Sequence, residues 1–272
     1  MFSGWDIRST KLGNALLSHQ ILDYDLVRRV QAHLNSVEVL KGVYDERFLS
    51  DAVAATVSHA HECASPKVQL ERIRADIRLF KDKNKVGGHT TVIWSASVEP
   101  NSPLSRKLDS ADDLLKAFEE EDEEKRGGAI SPSLIYATAA ILEGCSFVNG
   151  GSQNTLCEGL SKLAESMEGV YVLGTDFKAG QTKFKTAAVE YLRACGFTPR
   201  TIASCNHLGN NDMKNISSSN SVSDAKLKVK HDIFGGWGEN IDHKVRRLRF
   251  LLRLVSSLGA ATGVWCAVGL YF

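Results

Sequence analysis

The stretch Val170-Tyr-Val-Leu-Gly-Thr-Asp-Phe-Lys-Ala-Gly-Gln-Thr-Lys183 carries the clearest fold signal in the chain. Its apolar start is typical of a buried strand, and Lys183 to Cys195 reads as a helix that ends at Gly196. The turn between them, Gly174 to Lys183, would aim free backbone N–H groups and the positive end of the helix at an anion. The sequence therefore predicts a strand, a turn suited to phosphate, and a helix.

Three side chains of this turn suit phosphate or proton chemistry. Lys178 and Lys183 add positive charge next to the expected anion. Asp176 is a carboxylate in the same turn, where it could orient a lysine or a hydroxyl, or take part in proton transfer. The Gly-Lys-Ser/Thr signature of a Walker loop is absent from the sequence, and an ordinary strand-to-helix turn stays open as the alternative.

The flanking sequence repeats the alternation of helix and strand. Thr90 to Trp94 and Thr201 to Cys205 are β-branched runs of the kind found in buried strands. Helical intervals between apolar residues predict further helices in residues 12–35 (broken near Asp23), 68–84, 111–118 and 131–144. This alternation predicts an α/β fold with a doubly wound sheet.

Polar residues also crowd after the predicted strand at 201–205. The segment Asn206-His-Leu-Gly-Asn-Asn-Asp212 contains three amides, one histidine and one aspartate. Because amides both donate and accept hydrogen bonds, this composition at a strand end suits a polyhydroxylated ligand. Asn, Gly and Asp are also turn formers, so a plain polar turn is the alternative.

Two other segments each have a functional and a plain interpretation. Lys226, Lys228 and Lys230 could hold phosphate or polarise a carbonyl, or they could be solvated surface lysines. The glycine-rich loop Asn149 to Asn154 could admit a cofactor closely because glycine has no side chain. It could equally be a simple loop between two helical stretches.

Composition excludes several classes of protein. The chain has 272 residues, 33 of them basic and 32 acidic, so its net charge gives no global reason to bind nucleic acid. With 43% hydrophobic and 24% charged residues it is neither disordered nor a disulfide scaffold. Six cysteines without a C-x-x-C pair favour a reducing compartment. We expect no metal site: His59 to Cys63, the nearest approach to a ligand cluster, is interpreted as exposed polar surface.

Taken in order, these segments resemble the myo-inositol-phosphate synthase family. The resemblance runs from about Ser3 to His243, and its last two motifs are long and specific. The matching segments are Ser3–Ile7 (S-G-W-D-I), Leu22–Leu26 (L-D-Y-D-L), Trp94–Glu99, Ser131–Gly144, Asn149–Thr155, Gly174–Lys183 and Asn206–Asp212.

The resemblance implies an NAD-dependent isomerase of the cytoplasm. Such enzymes convert D-glucose 6-phosphate to 1D-myo-inositol 3-phosphate, the first step towards inositol lipids. Bound NAD⁺ oxidises the hydroxyl at carbon five, enolisation and an intramolecular aldol closure follow, and NADH then reduces the ring ketone. Family members form homotetramers through a second domain that carries a sheet.

Matching the family motifs residue by residue implies three groups of site residues. The catalytic group is Asp176, Lys183, Lys226 and Lys230. The substrate-binding group is Lys178, Gly180, Gln181, Asn206, Leu208, Asn210, Asn211 and Asp212. The group facing NAD is Ser95, Ala96, Glu99, Gly150, Gly151, Ser152 and Gln153.

Two family features have no counterpart in this sequence: the glycine-rich dinucleotide loop that precedes S-G-W-D-I, and the G-D-S-K motif with its catalytic lysine. We therefore expect a partial Rossmann-like NAD-binding domain at 1–182, followed by part of an α+β catalytic and tetramerisation domain at 183–243. Activity of this chain alone is expected to be weak. The alternative is a non-catalytic subunit that associates with full-length synthase and modulates it.

The end of the chain is expected to diverge from the family. Residues 244–253 contain five basic residues, and residues 254–272 contain no charged residue. A basic flank before an uncharged run resembles a marginal membrane tail anchor. The sequence favours the other interpretation, a tail translated out of frame or from an alternative exon, because the similarity is lost abruptly.

Overall fold

Helices and strands alternate along the computed structural model, which describes residues 2–20, 22–62, 64–86, 88–174, 176–177 and 180–206 together with two later strands. The helices of the described part are α1 (Leu12–His19), α2 (Tyr24–Ser36), α3 (Asp51–Ala54), α4 (Pro66–Lys83), α5 (Ala111–Glu119), α6 (Glu123–Arg126), α7 (Pro132–Leu142), α8 (Glu158–Glu165) and α9 (Gly180–Ala194). Its strands are β1 (Gly4–Asp6), β2 (Val39–Lys41), β3 (Thr91–Trp94), β4 (Ser146–Asn149), β5 (Val172–Leu173), β6 (Thr201–Asn206), β7 (Asp242–Arg247) and β8 (Cys266–Tyr271).

The chain divides into two compact units. The first unit comprises residues 1–94, 102–149 and 155–173. The second comprises residues 95–101, 150–154 and 174–272. The domain boundaries expected from the sequence, after residues 182 and 243, remain a prediction.

Parallel strand pairing defines the first unit. Strands β1 and β2 form a parallel pair, and β3, β4 and β5 form a three-stranded parallel sheet with β4 in the centre. Val92 pairs with Phe147, which in turn pairs with Val172, so these three residues share one face of the sheet. The predicted α/β class is confirmed.

One face of this sheet packs against the main hydrophobic core. Phe147 is 0% exposed, and the core around it includes Leu70, Ile73 and Ile77 of α4, the helix that the sequence predicts at 68–84. Helix α7 is buried along nearly its whole length and lies between α4 and the strands β3 and β4. The apolar faces of these helices are therefore buried against neighbouring elements, as their helical periodicity predicts.

The opposite face of the same sheet is exposed. Ile93, Val148 and Leu173 form a row on this face because they are paired across the three strands. Ile93 is 57% exposed and Leu173 is 58% exposed. Parallel sheets are usually covered on both faces, so this apolar row is an unusual feature of the described residues.

The second unit contains a mixed sheet. Strand β6 lies between β7, to which it is parallel, and β8, to which it is antiparallel. Strand β7 crosses His243, where the sequence predicts that the family resemblance ends, and β8 lies in the uncharged run near the end of the chain. Among the residues that the structure describes, no helix combines the length and apolar character needed to cross a membrane.

Strand β4 is an element that the sequence analysis missed. The glycine-rich loop at 150–154 was expected between two helices, but the structure places a strand, Ser146–Asn149, immediately before it. The run is only four residues long and follows a helix after a turn of three residues, so its own sequence carries a weak signal. Its strand conformation is fixed by pairing with β3 on one side and β5 on the other.

Candidate functional site

Three segments that the sequence analysis selected begin where three neighbouring strands end. Residues 95–101 follow β3, residues 150–154 follow β4, and residues from 174 onward follow β5. Because these strands are parallel and adjacent, they end at the same edge of the sheet. In open α/β sheets, ligands bind outside the carboxyl ends of the strands. The three segments also group together in the second unit.

The loop after β4 and the turn after β5 are joined by two backbone hydrogen bonds. The N–H of Asp176 donates to the carbonyl oxygen of Gly151 at 3.0 Å, and the N–H of Phe177 donates to the carbonyl oxygen of Gly150 at 3.1 Å. The structure therefore brings Asp176, the candidate catalytic carboxylate, against the loop expected to face NAD.

The backbone of this turn has two positive φ angles. Gly174 has a φ of 130° and Asp176 a φ of 66°. The second value lies in the left-handed region, which L residues rarely adopt and in which Asp and Asn are enriched among non-glycine residues. A short polar side chain at 176 is therefore compatible with the backbone as well as with proton chemistry.

The packing of the loop at 150–154 explains why residue 151 is a glycine. A Cβ atom at this position would lie 2.5 Å from Oε1 and 2.8 Å from Nε2 of Gln153. Gln153 is only 4% exposed, so its amide cannot easily move aside. From the sequence, the glycines either make room for a cofactor or belong to a simple loop, and at Gly151 the space beside the Cα atom is occupied by Gln153. Gly150 and Ser152 are half-buried in the same loop.

The segment after β3 contains both exposed and buried candidates. Ser95 and Ala96 are exposed, whereas Glu99 is 4% exposed. A carboxylate this deeply buried must be engaged by other groups, and Glu99 does make interactions in the structure. We therefore interpret Glu99 as part of the framework of this segment, and Ser95 and Ala96 as the residues that a ligand could reach.

Helix α9 presents a lysine that the sequence analysis did not select. Lys183, one of the three predicted catalytic lysines, is exposed, whereas Lys185 is 7% exposed. Lys185 shares a helix face with Val189, four residues on, which is 1% exposed. The i, i+4 spacing of Lys185 from an apolar valine was the one indication in the sequence that Lys185 faces inward. Lys183 was selected instead because it belongs to the matching family motif.

Several predicted site residues cannot be placed. Asn206 ends β6 and Gln181 lies in the first turn of α9, but only their backbone positions are described. The predicted residues that lie outside the described residues are Lys178, Leu208, Asn210, Asn211, Asp212, Lys226 and Lys230. Their roles remain predictions.

The residue that follows the glycine-rich loop, Thr155, is hydrogen-bonded to helix α7. The hydroxyl of Thr155, just after the loop, lies 2.9 Å from the hydroxyl of Ser133 in the first turn of α7. Both side chains are buried in the first unit. The two motifs that contain them, at 131–144 and 149–155, are therefore in direct contact, a relation that neither motif reveals alone.

The described residues contain no group of three or more His, Cys, Asp or Glu side chains placed to hold a metal ion. His59 lies in the segment whose sequence came nearest to a metal-ligand cluster, and its imidazole Nε2 lies 3.1 Å from the carbonyl oxygen of Val39. Burial comes first among the causes that lower the pKa of His61, followed by the charge of Arg72. His59 and His61 are half-buried and Glu62 is exposed, whereas Cys63 lies outside the described residues.

Comparison with known proteins agrees with the resemblance. A family model for NAD binding, described as myo-inositol-1-phosphate synthase, matches residues 1–260 and so continues beyond His243. The inositol-3-phosphate synthase of Trypanosoma brucei brucei is 38% identical over 218 residues, covering 80% of this chain and 40% of that protein. Isozyme 2 of Arabidopsis thaliana inositol-3-phosphate synthase is 37% identical over 256 residues, covering 90% of this chain and 48% of that protein.

A solved structure shows the same relation in three dimensions. The crystal structure of inositol-3-phosphate synthase from Caenorhabditis elegans superposes with a TM-score of 0.79 at 33% identity, covering 90% of this chain and 48% of that one. The chain thus spans between 40% and 48% of the length of these relatives. On the match of the family model to residues 1–260, the chain belongs to the myo-inositol-1-phosphate synthase family.

Proposed function

We propose that this chain carries part of the active site of an NAD-dependent inositol-3-phosphate synthase, which converts D-glucose 6-phosphate to 1D-myo-inositol 3-phosphate in the cytoplasm. The observation that carries the proposal is the pair of hydrogen bonds between the loop at 150–154 and the turn that holds Asp176. The family to which the chain belongs is one of NAD-binding proteins. In such a protein, these hydrogen bonds would place the Asp176 carboxylate, as a proton-transferring group, beside the loop that holds the cofactor.

The segments divide between cofactor and substrate in this proposal. Ser95, Ala96, Gly150 and Ser152, which are exposed or half-buried at the carboxyl edge of the parallel sheet, would contact NAD. The buried Glu99, Gly151 and Gln153 would hold these two segments in place. NAD, when bound, would accept a hydride from the sugar and return it later. The turn at 174–181 would bind the substrate phosphate at the start of α9, and the amides of 206–212 would bind the sugar hydroxyls.

The polar side chains would supply the remaining chemistry. Asp176 would accept or orient a proton at the substrate. Lys183, Lys226 and Lys230 would stabilise the negative charge that develops on the enolate and the alkoxide, provided that they stay protonated. Lys183 is exposed and would have to turn towards the substrate.

We also infer that the chain on its own is a weak catalyst and that its natural form is an oligomer, a tetramer by analogy with the family. The chain spans 40% to 48% of the length of the relatives that it matches. The second candidate function is a non-catalytic subunit within assemblies of full-length synthase. The exposed apolar row at Ile93 and Leu173 favours association of this kind.

Binding and turnover test the proposal separately. We expect purified chain 1–272 to bind NAD⁺ in isothermal titration calorimetry, and to form inositol phosphate from glucose 6-phosphate far more slowly than a complete synthase. Asp176→Asn should abolish the remaining turnover without changing the melting temperature. The matched control is Asp82→Asn, which removes an exposed carboxylate on α4 and should leave the remaining turnover unchanged.

Three outcomes separate the candidates. Absence of NAD⁺ binding would contradict the proposed function. Turnover at the rate of a complete family member would contradict the inferred weakness of the isolated chain. Co-purification with a complete synthase, with no NAD⁺ bound to this chain, would instead support the non-catalytic subunit.

A further inference from the structure

We propose that Gln153 is a positioning residue for Asp176, and that through it the binding of NAD is coupled to the placement of the Asp176 carboxylate. The proposal rests on the proposed function, because it takes the loop at 150–154 as the NAD loop and Asp176 as a group that acts on the substrate. It assigns to Gln153 a role that differs from direct contact with the cofactor.

The two hydrogen bonds at Asp176 hold both peptide planes that flank its Cα atom. Its own N–H belongs to the preceding peptide, and the N–H of Phe177 belongs to the following one. With both planes held, φ and ψ of Asp176 are fixed together, and so is the direction of its Cα–Cβ bond. The left-handed φ of 66° is costly for a residue with a side chain, so these bonds also maintain the conformation.

The two acceptors are in turn the peptide planes that flank Gly151. The carbonyl of Gly150 lies in the peptide before the Gly151 Cα atom, and the carbonyl of Gly151 lies in the peptide after it. Any rotation about the backbone of Gly151 would therefore displace both acceptors. The position of Asp176 depends on the conformation of a glycine, the residue type with the greatest backbone freedom.

Gln153 limits that freedom. Its amide lies against the side of Gly151 where a Cβ atom would be, with Oε1 2.5 Å, Nε2 2.8 Å and Cδ 2.9 Å from that point. The Gln153 side chain is only 4% exposed, so the surrounding atoms restrict its movement. A buried amide packed on a glycine supplies the steric restraint that the glycine lacks. The chain of contacts runs from Gln153 to Gly151 and from Gly151 to Asp176.

Coupling follows from this arrangement. A cofactor that binds the loop in this conformation and not in others would lower the frequency with which the two hydrogen bonds open. The substrate turn would then be better ordered with NAD bound than without it. By linkage, a ligand that orders the turn would strengthen NAD binding by the same factor.

Hydrogen exchange of the Asp176 and Phe177 amides, measured by NMR, tests the proposal without any measurement of turnover. In the unliganded chain, Gln153→Ala should speed exchange of both amides by about tenfold, because the acceptors are no longer fixed. Asn154→Ala, at an exposed position in the same loop, is the control and should leave both rates unchanged. Protection of the Phe147 amide, which bonds to Tyr171 in the first unit, verifies that each variant is folded.

Saturating NAD⁺ provides the second readout. In the unmodified chain it should slow exchange of both amides at least about threefold, and in Gln153→Ala this slowing should be lost while calorimetry still detects NAD⁺ binding. A purely structural role for Gln153 would not produce this NAD⁺-dependent difference. If Gln153→Ala does not fold, Gln153→Asn, which shortens the side chain by one methylene, takes its place with the same expectations.

The outcomes distinguish this proposal from the proposed function. NAD⁺ binding without any change at Asp176 and Phe177 would overturn the coupling and leave the proposed function standing. Unchanged exchange in the unliganded Gln153 variant would overturn the positioning role. Failure of the unmodified chain to bind NAD⁺ would overturn the proposed function itself, and this proposal with it.

Discussion

The two faces of the sheet formed by β3, β4 and β5 contain similar residues in different surroundings. On one face, Phe147 is fully buried beneath α7 and the core. On the other, Ile93 and Leu173 are more than half exposed although they are equally apolar. The difference teaches that hydrophobic composition marks a strand as suited to burial on both faces, whereas only the packing of other elements decides which face is buried.

Truncation of one large side chain on each face gives the largest expected contrast. Phe147→Ala should lower the free energy of unfolding by about 3–5 kcal/mol, because it leaves a cavity in a core that cannot collapse fully. Ile93→Ala, in the neighbouring strand but on the exposed face, should lower it by less than about 1 kcal/mol. Urea titration followed by circular dichroism measures both. Equal losses would show that the exposed face is covered in solution.

A second change acts on the helices that complete the buried side. Gly159, in the first turn of α8, lies close to the backbone of the segment before α5. A Cβ atom at this position would lie 2.5 Å from the carbonyl oxygen of Ser110 and 3.1 Å from that of Leu108. Backbone atoms cannot move aside as a flexible side chain can, so Gly159→Ala should cost about 2 kcal/mol of unfolding free energy. The control is Gly88→Ala, where the added Cβ atom would contact nothing within 4 Å.

Thermal unfolding of these two glycine variants checks the expectation. Gly88→Ala should stay within about 0.5 kcal/mol of the unmodified chain. A Gly159 variant as stable as the Gly88 variant would contradict the close approach of α8 to the segment before α5. It would also weaken the contrast between the two faces, because α8 contributes Leu160 and Leu163 to the buried side.

The smallest expected effect concerns an ion-pair cluster at the edge of the buried side. Arg74 and Arg78 of α4 both bind Glu143, at the end of α7, with N–O distances of 2.7 Å. Burial would raise the pKa of Glu143, but hydrogen bonds from Arg78 and Arg74 outweigh it and hold the pKa below its ordinary value of 4.5. Glu143→Gln should therefore cost about 1 kcal/mol at neutral pH, since the cluster is partly exposed.

The pH dependence of this effect has a definite sign. A lowered pKa means that the carboxylate contributes its full stabilisation above pH 4.5, and that this contribution is lost as the pH falls through the lower value of the folded state. The stability difference between the unmodified chain and Glu143→Gln should therefore shrink on acidification from pH 7 to pH 3. Glu168→Gln, at an exposed position, is the control. A stability difference between the unmodified chain and Glu143→Gln that stayed constant with pH would contradict the lowered pKa of Glu143.

Sequence reasoning succeeded where a local pattern had enough length. Leu70, Ile73 and Ile77 lie three and four residues apart, and this helical spacing predicts the helix that the structure places at Pro66–Lys83. The turn after β5 was predicted because glycines, an aspartate and lysines mark it, and the family resemblance that rests on it is confirmed. In both cases the information lies within one continuous segment.

It failed where the information lies between segments. The strand conformation of β4 depends on two neighbouring strands, and its four residues are too few to reveal a period. The contact of Gln153 with Gly151 and the burial of Lys185 depend on side-chain packing. No spacing rule predicted that the backbone of one selected loop would hold the candidate catalytic residue of another.

The left-handed backbone at Asp176 also determines how a saturation mutagenesis experiment at this codon would read. Glycine, asparagine and aspartate tolerate a φ of 66°, whereas branched and bulky residues do not. Most substitutions would therefore fail on steric grounds before their chemistry is tested, and a uniform loss of function across the scan would carry no information about protons. Only the comparison of aspartate with its amide isostere isolates the charge.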